Sequence, residues 1–283
     1  MDEPGAVLAP DDAVVPAAWV AREPGSAWCP DAIAALLGDE FVRAAAADPC
    51  VIAQGDEVWQ VRGASVRGKS HAHRGEHRDD ALAVHAADGL LLLCVADGAG
   101  SSALSRVGAA VTARLVVERT AARHAAGSPD DAASSRLGTA MAHAVHDAAV
   151  RLHELAAAAG VSPTALRTTV ILVAICGDLI LVSQVGDGAV LMQRHDGSVL
   201  RVGAMRETAW AGEVTCFVPD ACAMTQAAEL RQASAGDMSL IALMTDGIDD
   251  PFHPLEQSGA ALVEQWRHGT MEPIGTATQA IGG

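Results

Sequence analysis

The stretch Ala81–Ser101 reads ALAVHAADGLLLLCVADGAGS, and its reading decides how the chain folds. At its centre Asp88-Gly89 separates two apolar runs, Ala81–Ala87 and Leu90–Ala96. Asp-Gly in that setting is the strongest short-range signal for a two-residue β-hairpin. The second run is long enough for one buried strand and too short for a membrane span. In such a hairpin Ala87 pairs with Leu90, and the same register brings Asp80 opposite Asp97. Paired positions lie about 5 Å apart, so two carboxylates meet where the strands surface. They repel there unless a cation binds between them or a proton is taken up; otherwise both fray into solvent as loop residues. The glycines of Asp97-Gly98-Ala99-Gly100 let main-chain carbonyls approach a ligand closely. A strand end of this kind suits an oxygen-coordinated cation.

The remaining strands set the layers. Thr168–Cys176, TTVILVAIC, is apolar almost throughout, so both of its faces must be covered. Gly177-Asp178 turns it into Leu179–Gly186, and that register places Asp187 opposite Thr168. Ala189–His195 follows, then Asp196-Gly197, and Ser239–Thr245 is the last clear buried strand. Tight hairpins make the sheets antiparallel, so a doubly covered strand needs a second sheet on one side and helices on the other. The expected class is α+β: a four-layer α-β-β-α sandwich of two antiparallel sheets flanked by helices. A Rossmann fold is excluded, since it needs helical crossovers between successive strands. One flanking helix is expected from Ser101 or Ser102 to about His124. A second starts near Ser134-Ser135, with Leu137, Met141, Val145, Ala148, Leu152 and Leu155 as its buried stripe.

Residues 1–57 are rich in Pro, Ala, Asp and Gly and read as an N-terminal extension with one short helix, Pro30–Ala47. The domain proper is expected over residues 58–283. Within it Arg67, Lys69, His71, His73, Arg74, His77 and Arg78 form a basic cluster leading into Asp79-Asp80, a position that argues for contact with an anion. Gly203–Gln232 is irregular, with Trp210-Ala211-Gly212-Glu213 at its centre, and reads as a flap over one face.

Composition narrows the function classes. A net charge of −16 with three Phe, five Trp and no Tyr argues against nucleic acid and acidic membranes as partners. It does not forbid a phosphorylated substrate, provided cations neutralise the site. The six cysteines include no Cys-x-x-Cys pair, the start of the chain lacks the pattern of a signal peptide, and no apolar run approaches 18 residues. A reduced, cytoplasmic protein is expected.

Asp-Gly follows an apolar run three times, at Asp97, Asp187 and Asp246. Strand ends converging on a hard cation explain that recurrence, carboxylate oxygen being the fitting ligand. Together with Gly68–Ala81 (GKSHAHRGEHRDDA), Val95–Ser101 (VADGAGS), Arg167–Val170 (RTTV), Val185–Leu191 (VGDGAVL) and Leu243–Asp250 (LMTDGIDD), they resemble the bacterial form of the metal-dependent protein phosphatases of type 2C. Gly212–Phe217 (GEVTCF) faintly resembles a further segment of bacterial members.

The resemblance implies a β-sandwich flanked by helices and a phosphoserine/phosphothreonine phosphatase with two Mn²⁺ or Mg²⁺ ions. A hydroxide bridging the ions attacks phosphorus in line and no phosphoenzyme forms. Asp97 would bridge the ions, Gly98 would lend its carbonyl, and Asp246 would bind the second ion. Asp80, with Asp79 beside it, would hold the cluster through water or hydrogen bonds. Members with a third ion hold it at positions matching Asp187, Asp246 and Asp250. The implied partner is a phosphorylated protein, either a cognate Ser/Thr kinase or its target.

Three positions depart from the pattern. Ala99 stands where many members have a histidine proposed as proton donor. The phosphate-binding arginine has no certain counterpart among Arg67, Lys69, His71 and Arg74, with Arg67 preferred. The family closes with a strand after an Asp-Asp or Asp-Asn pair that supplies another ligand; Thr270–Gly283 (TMEPIGTATQAIGG) has no such pair. The chain is therefore expected to lack the last strand or to hold its second ion weakly. The competing readings are a catalytically silent module that binds a phosphoprotein or signalling partner, and a metal hydrolase of small phosphoesters.

Overall fold

The structure, a computed structural model, describes residues 21–48, 50–55, 58–128, 132–202, 216–249, 252, 254–267 and 276–282. The chain begins with helices α1 (Asp31–Leu37) and α2 (Asp39–Ala46), strands β1 (Cys50–Gly55) and β2 (Trp59–Ser65), and the short helix α3 (Lys69–Arg74). The hairpin β3 (Ala81–Ala87) and β4 (Leu90–Ala96) leads to the long helices α4 (Ser105–Ala126) and α5 (Ala133–Ala159). Strands β5 (Val170–Cys176), β6 (Leu179–Val185), β7 (Ala189–Arg194) and β8 (Val199–Val202) follow. The last part holds α6 (Ala223–Ala228), β9 (Arg231–Ser234), β10 (Met238–Met244), α7 (Asp246–Asp249), α8 (Leu255–Arg267) and β11 (Thr276–Gly282). The described strands form a six-stranded sheet, β1-β2-β11-β10-β7-β8, and a five-stranded sheet, β3-β4-β5-β6-β9, with neighbouring strands antiparallel throughout.

Strand alternation builds the four layers. Along β4, Leu90, Leu92, Cys94 and Ala96 enter a core shared with α1, α4 and α5, while Leu91, Leu93 and Val95 enter the core between the sheets. In the six-stranded sheet Val190, Met192, Ile241 and Leu243 face that same central core. Leu191, Leu240, Ala242 and Met244 face Leu255, Leu262 and Val263 of α8. The fully buried Leu and Ile side chains each contribute about 1.5–3 kcal/mol relative to exposure, so a hairpin apolar on both faces is stable only between two covering layers. The hairpin register runs from Ala87↔Leu90 to Ala81↔Ala96. Asp88 and Gly89 at its turn have φ of 53° and 72°, the left-handed values a two-residue turn requires. Among the described residues no helix is long and apolar enough to cross a membrane.

The structure adds to and alters these expectations. β1, which precedes residue 58, pairs along β2 from Cys50↔Ser65 to Gly55↔Gln60. The single helix expected over Pro30–Ala47 is two, divided at Gly38 with φ 83°, and α1 buries Ile33 completely in the helix-side core. The last described strand, Thr276–Gly282, inserts between β2 and β10, pairing Thr276↔Ser65 and Met244↔Ala277. It was hard to foresee because its sequence, TATQAIG, is weakly apolar and takes its place from two neighbours. Finally, Cys216 and Cys222 are joined in a disulfide, so the cysteines no longer support a uniformly reduced protein. Residues 203–215, which hold Trp210–Glu213 of the expected flap and most of the GEVTCF segment, lie outside the described residues. The rest of that excursion contains α6 and β9.

Candidate active site

Three strand ends deliver the acidic residues. Asp97 follows β4, Asp246 opens the turn after β10, and Asp80 precedes β3, where the hairpin register sets it against Asp97. The main chain at Asp97 is tied down by the segment entering β5. Its carbonyl accepts from the Thr168 hydroxyl at 2.7 Å and from the Thr169 N–H at 2.8 Å, and its own N–H donates to Thr169 Oγ1 at 3.2 Å. The Thr245 hydroxyl donates to Asp80 Oδ2 at 2.9 Å, which links the two sheets at their acidic ends. Asp187 sits in the β6–β7 turn and lines the same cleft. Gly188 has φ 94°, and a Cβ there would stand 2.7 Å from the Met244 carbonyl oxygen. Only glycine lets this turn close against the end of β10.

Asp80, Asp97, Asp187 and Asp246 line a cleft of about 460 Å³ together with His71 and Arg78. Burial holds the Asp97 carboxyl well above the usual carboxylate range, and the nearby Asp80 and Asp246, both within hydrogen-bond reach, raise it further. Burial also raises Asp79, against the opposing pull of His71 and Arg106. Excess carboxylate that must share protons is what a divalent cation relieves, and the donors are all hard oxygens. Among the described residues no three such side chains already form a ready-made ion cage.

Gly98 lies where chain segments come closest. A Cβ on it would stand 2.8 Å from the Asp79 carbonyl oxygen and 2.8 Å from Ser105 Cβ. Neither neighbour is a flexible side-chain tip, so Gly98→Ala should push the Asp97 loop out of place. We expect a loss of about 2 kcal/mol in stability, read by thermal melting. Hydrolysis should fall at least about tenfold, since small misplacements of reacting groups are costly.

The structure brings Asp80, Asp97, Gly98, Asp187 and Asp246 to one cleft. Arg67, preferred from the sequence for phosphate, does not line it. Its Nε pairs with Asp48 at 3.1 Å, and its Nη1 donates to the carbonyls of Arg22 at 2.8 Å and Glu76 at 3.3 Å. Asp250 lies outside the described residues. Sequence reasoning missed Thr245, although it directly precedes Asp246; Arg78 belongs to the basic cluster expected from the sequence, and it lines the cleft. The Arg78 guanidinium donates to the Asp80 carbonyl at 2.9 Å and to the carbonyls of Ala45 and Ala47, each at 3.0 Å. The closing strand begins at this end of the sheet, since Ala277 pairs with Met244, but Thr276–Gly282 contains no carboxylate.

The family model for protein phosphatase 2C matches residues 67–279. No individual curated protein matches the chain in sequence. Among solved structures the chain resembles the serine-threonine phosphatase 2C of Toxoplasma gondii, at 12% identity and a TM-score of 0.55, over 83% of this chain and 100% of that one. It also resembles the serine/threonine phosphatase of S. agalactiae, at 15% identity and a TM-score of 0.53, over 79% and 98% of the two chains. Serine/threonine phosphatase Stp1 from Staphylococcus aureus matches at 12% identity and a TM-score of 0.51, over 82% and 96%. At these identities the likeness is one of fold.

Proposed function

The chain belongs to the protein phosphatase 2C family, and from that premise we propose that it hydrolyses phosphoserine and phosphothreonine in proteins with two bound Mn²⁺ or Mg²⁺ ions. The observation that carries this reading is the convergence of Asp80, Asp97, Asp187 and Asp246 on one cleft, with Asp80 and Asp246 crowding a buried Asp97. Asp97 would be shared by both ions, with the Gly98 carbonyl on one and Asp246 on the other. Asp80 would act through water, held in place by Thr245. Asp187, with Asp246 and Asp250, would serve a third ion. When bound, such cations supply a nucleophile from water at neutral pH and offset the charge of the transferring phosphoryl group. The protein's own part is to hold the acidic ends rigid and to position the phosphoester above them. The proposed partner is a phosphoprotein, the target of a Ser/Thr kinase that this activity opposes in the cytoplasm.

A second reading, a phosphoprotein-binding module without turnover, is favoured by one observation: the closing strand reaches the acidic end of its sheet without a carboxylate. Hydrolysis of p-nitrophenyl phosphate, compared in EDTA, Mg²⁺ and Mn²⁺, separates the two. We expect turnover that EDTA abolishes and Mn²⁺ restores better than Mg²⁺, because Mg²⁺ demands near-ideal octahedral geometry. A folded protein that binds a phosphopeptide but shows no turnover at millimolar Mn²⁺ would establish the second reading instead.

A further inference from the structure

We propose that Cys216 and Cys222 form a reversible redox site that sets how firmly the acidic cleft is held, a role that rests on the ion-binding hydrolase reading above. With the bridge formed the cleft keeps its shape, and reduction loosens it. The two cysteines are six residues apart in sequence and joined, with Cα atoms 6.0 Å apart. Cys216 is buried and Cys222 is exposed, so a partner thiol can approach from the Cys222 side. Among the described residues Cys29, Cys50, Cys94 and Cys176 carry free thiols. The bridge is therefore not one of a framework that staples the fold. An isolated bridge in a chain of otherwise free thiols is the pattern of a redox-sensing pair. Closing so short a loop also contributes less stability than closing a long one. Its importance lies in what its two ends hold.

Both ends reach the cleft. Next to Cys216, Phe217 lines the cleft wall, and Val218 exchanges main-chain hydrogen bonds of 2.9 and 3.0 Å with Thr168. Thr168 is the residue whose hydroxyl holds the Asp97 carbonyl. From the other end, the Cys222 carbonyl accepts the N–H groups of Thr225 at 3.1 Å and Gln226 at 3.2 Å, which opens α6. Gln226 Oε1 in turn accepts the Gly186 N–H at 3.0 Å, beside Asp187. Between the cysteines, Asp220 accepts from Arg167 Nε at 3.0 Å, and the Arg167 carbonyl accepts the Ala99 N–H at 3.0 Å. The bridge thus ties the mounting of Asp97 to that of Asp187. Breaking it leaves these hydrogen bonds in place but frees the two mountings to move apart. In the reductive step one thiolate of a dithiol attacks the Cys222 sulfur. The bond between the protein sulfurs breaks with its electron pair on Cys216, which takes up a proton. The second thiolate of the reductant then displaces Cys222 as a thiol, leaving the reductant as a disulfide. In the reverse direction a hydroperoxide accepts the two electrons. The Cys222 thiolate takes a hydroxyl from it, forming a sulfenic acid and releasing an alcohol or water, and the Cys216 thiol displaces water to restore the bridge.

The test compares the full chain oxidised with a mild hydroperoxide and reduced with dithiothreitol, each reagent removed before measurement. Peptide mapping by mass spectrometry should find Cys216 joined to Cys222 in the first preparation and two thiols in the second. By calorimetry the reduced protein should bind Mn²⁺ about fivefold more weakly, a fraction of the 10–100-fold lost when a group that orients a metal ligand is removed outright. Turnover of a phosphothreonine peptide at half-saturating Mn²⁺ should fall in step. Cys222→Ser should match the reduced protein in both preparations, and Cys222→Ala gives the same comparison should the Ser variant fold poorly. Equal Mn²⁺ affinity in the two wild-type preparations would overturn the role. So would a dithiothreitol effect that persists in Cys222→Ser, or a peroxide-treated protein in which the two cysteines remain unlinked. Wild-type protein whose Mn²⁺ affinity follows the bridge, but which turns over no substrate in either state, would instead sink the hydrolase reading and leave the redox site standing.

Discussion

Asp97→Asn is expected to lower Mn²⁺-dependent hydrolysis at least about 1000-fold while leaving a folded protein that is more stable than wild type in EDTA. The activity loss follows from removing the one carboxylate that Asp80 and Asp246 both crowd. The stability gain follows from the direction of its titration. Burial first, then the two neighbouring acids, raises the folded-state value of Asp97, whereas the unfolded chain titrates near 3.9 or so. The folded form thus holds its proton more tightly. The associated stabilisation is complete below the unfolded value and is lost as pH rises through the raised one. Without cations, wild-type protein should therefore lose stability between acid and neutral pH, and the Asn variant should lack that component. The gain should show as a higher urea midpoint for the Asn variant at neutral pH that shrinks toward acid pH. Mn²⁺ should reverse the ranking, because a cation binds the ionised carboxylate. An Asn variant with near-wild-type turnover would defeat the two-ion site. One that melts lower in EDTA would defeat the account of the crowded acid.

Arg78→Ala should cost about 3 kcal/mol of stability and raise the Mn²⁺ concentration needed for half-maximal activity. One guanidinium serves four acceptors, two at the end of α2 and two beside the cleft. Hydrogen bonds from a charged donor are worth about 1.5–3 kcal/mol each and are not additive when shared. The carbonyls at a helix C-terminus also favour a cation there. Removing it leaves part-buried acceptors unmet and frees the Asp80 main chain. Lysine should recover less than half of the loss, since its ammonium lacks the planar fork that spans both sides. Chemical denaturation of the Ala and Lys variants, with Mn²⁺ titration of each, provides the check. An Ala variant as stable as wild type would show that residues 45–47 are not braced through Arg78.

The same contacts show where sequence reasoning reached its limit in this chain. The segment 21–48 looked like an extension because its composition is poor in the patterns that mark strands. It nonetheless receives Arg67, His77, Arg78 and Arg106 on its carbonyls and buries Trp28 and Ile33. Main-chain carbonyls carry no sequence signature, so no reading of residue types could have assigned those arginines to them. Arg67 looked like the phosphate ligand for the same reason: its neighbours in sequence are basic, while its partner Asp48 is 19 residues away.

What the sequence determined by itself was local and periodic. The Asp88-Gly89 turn set the register that faces Asp80 toward Asp97, and the doubly apolar run of β5 required a layer on each side. Both follow from neighbours within a few residues, where turn chemistry and alternation act directly. The tertiary structure alone decided which side chains are free to act. Thr245 reaches Asp80 across 165 residues, and β11 is placed only by the two strands it joins. Such choices depend on which buried acceptors need a donor, a competition that exists only once distant segments have packed together.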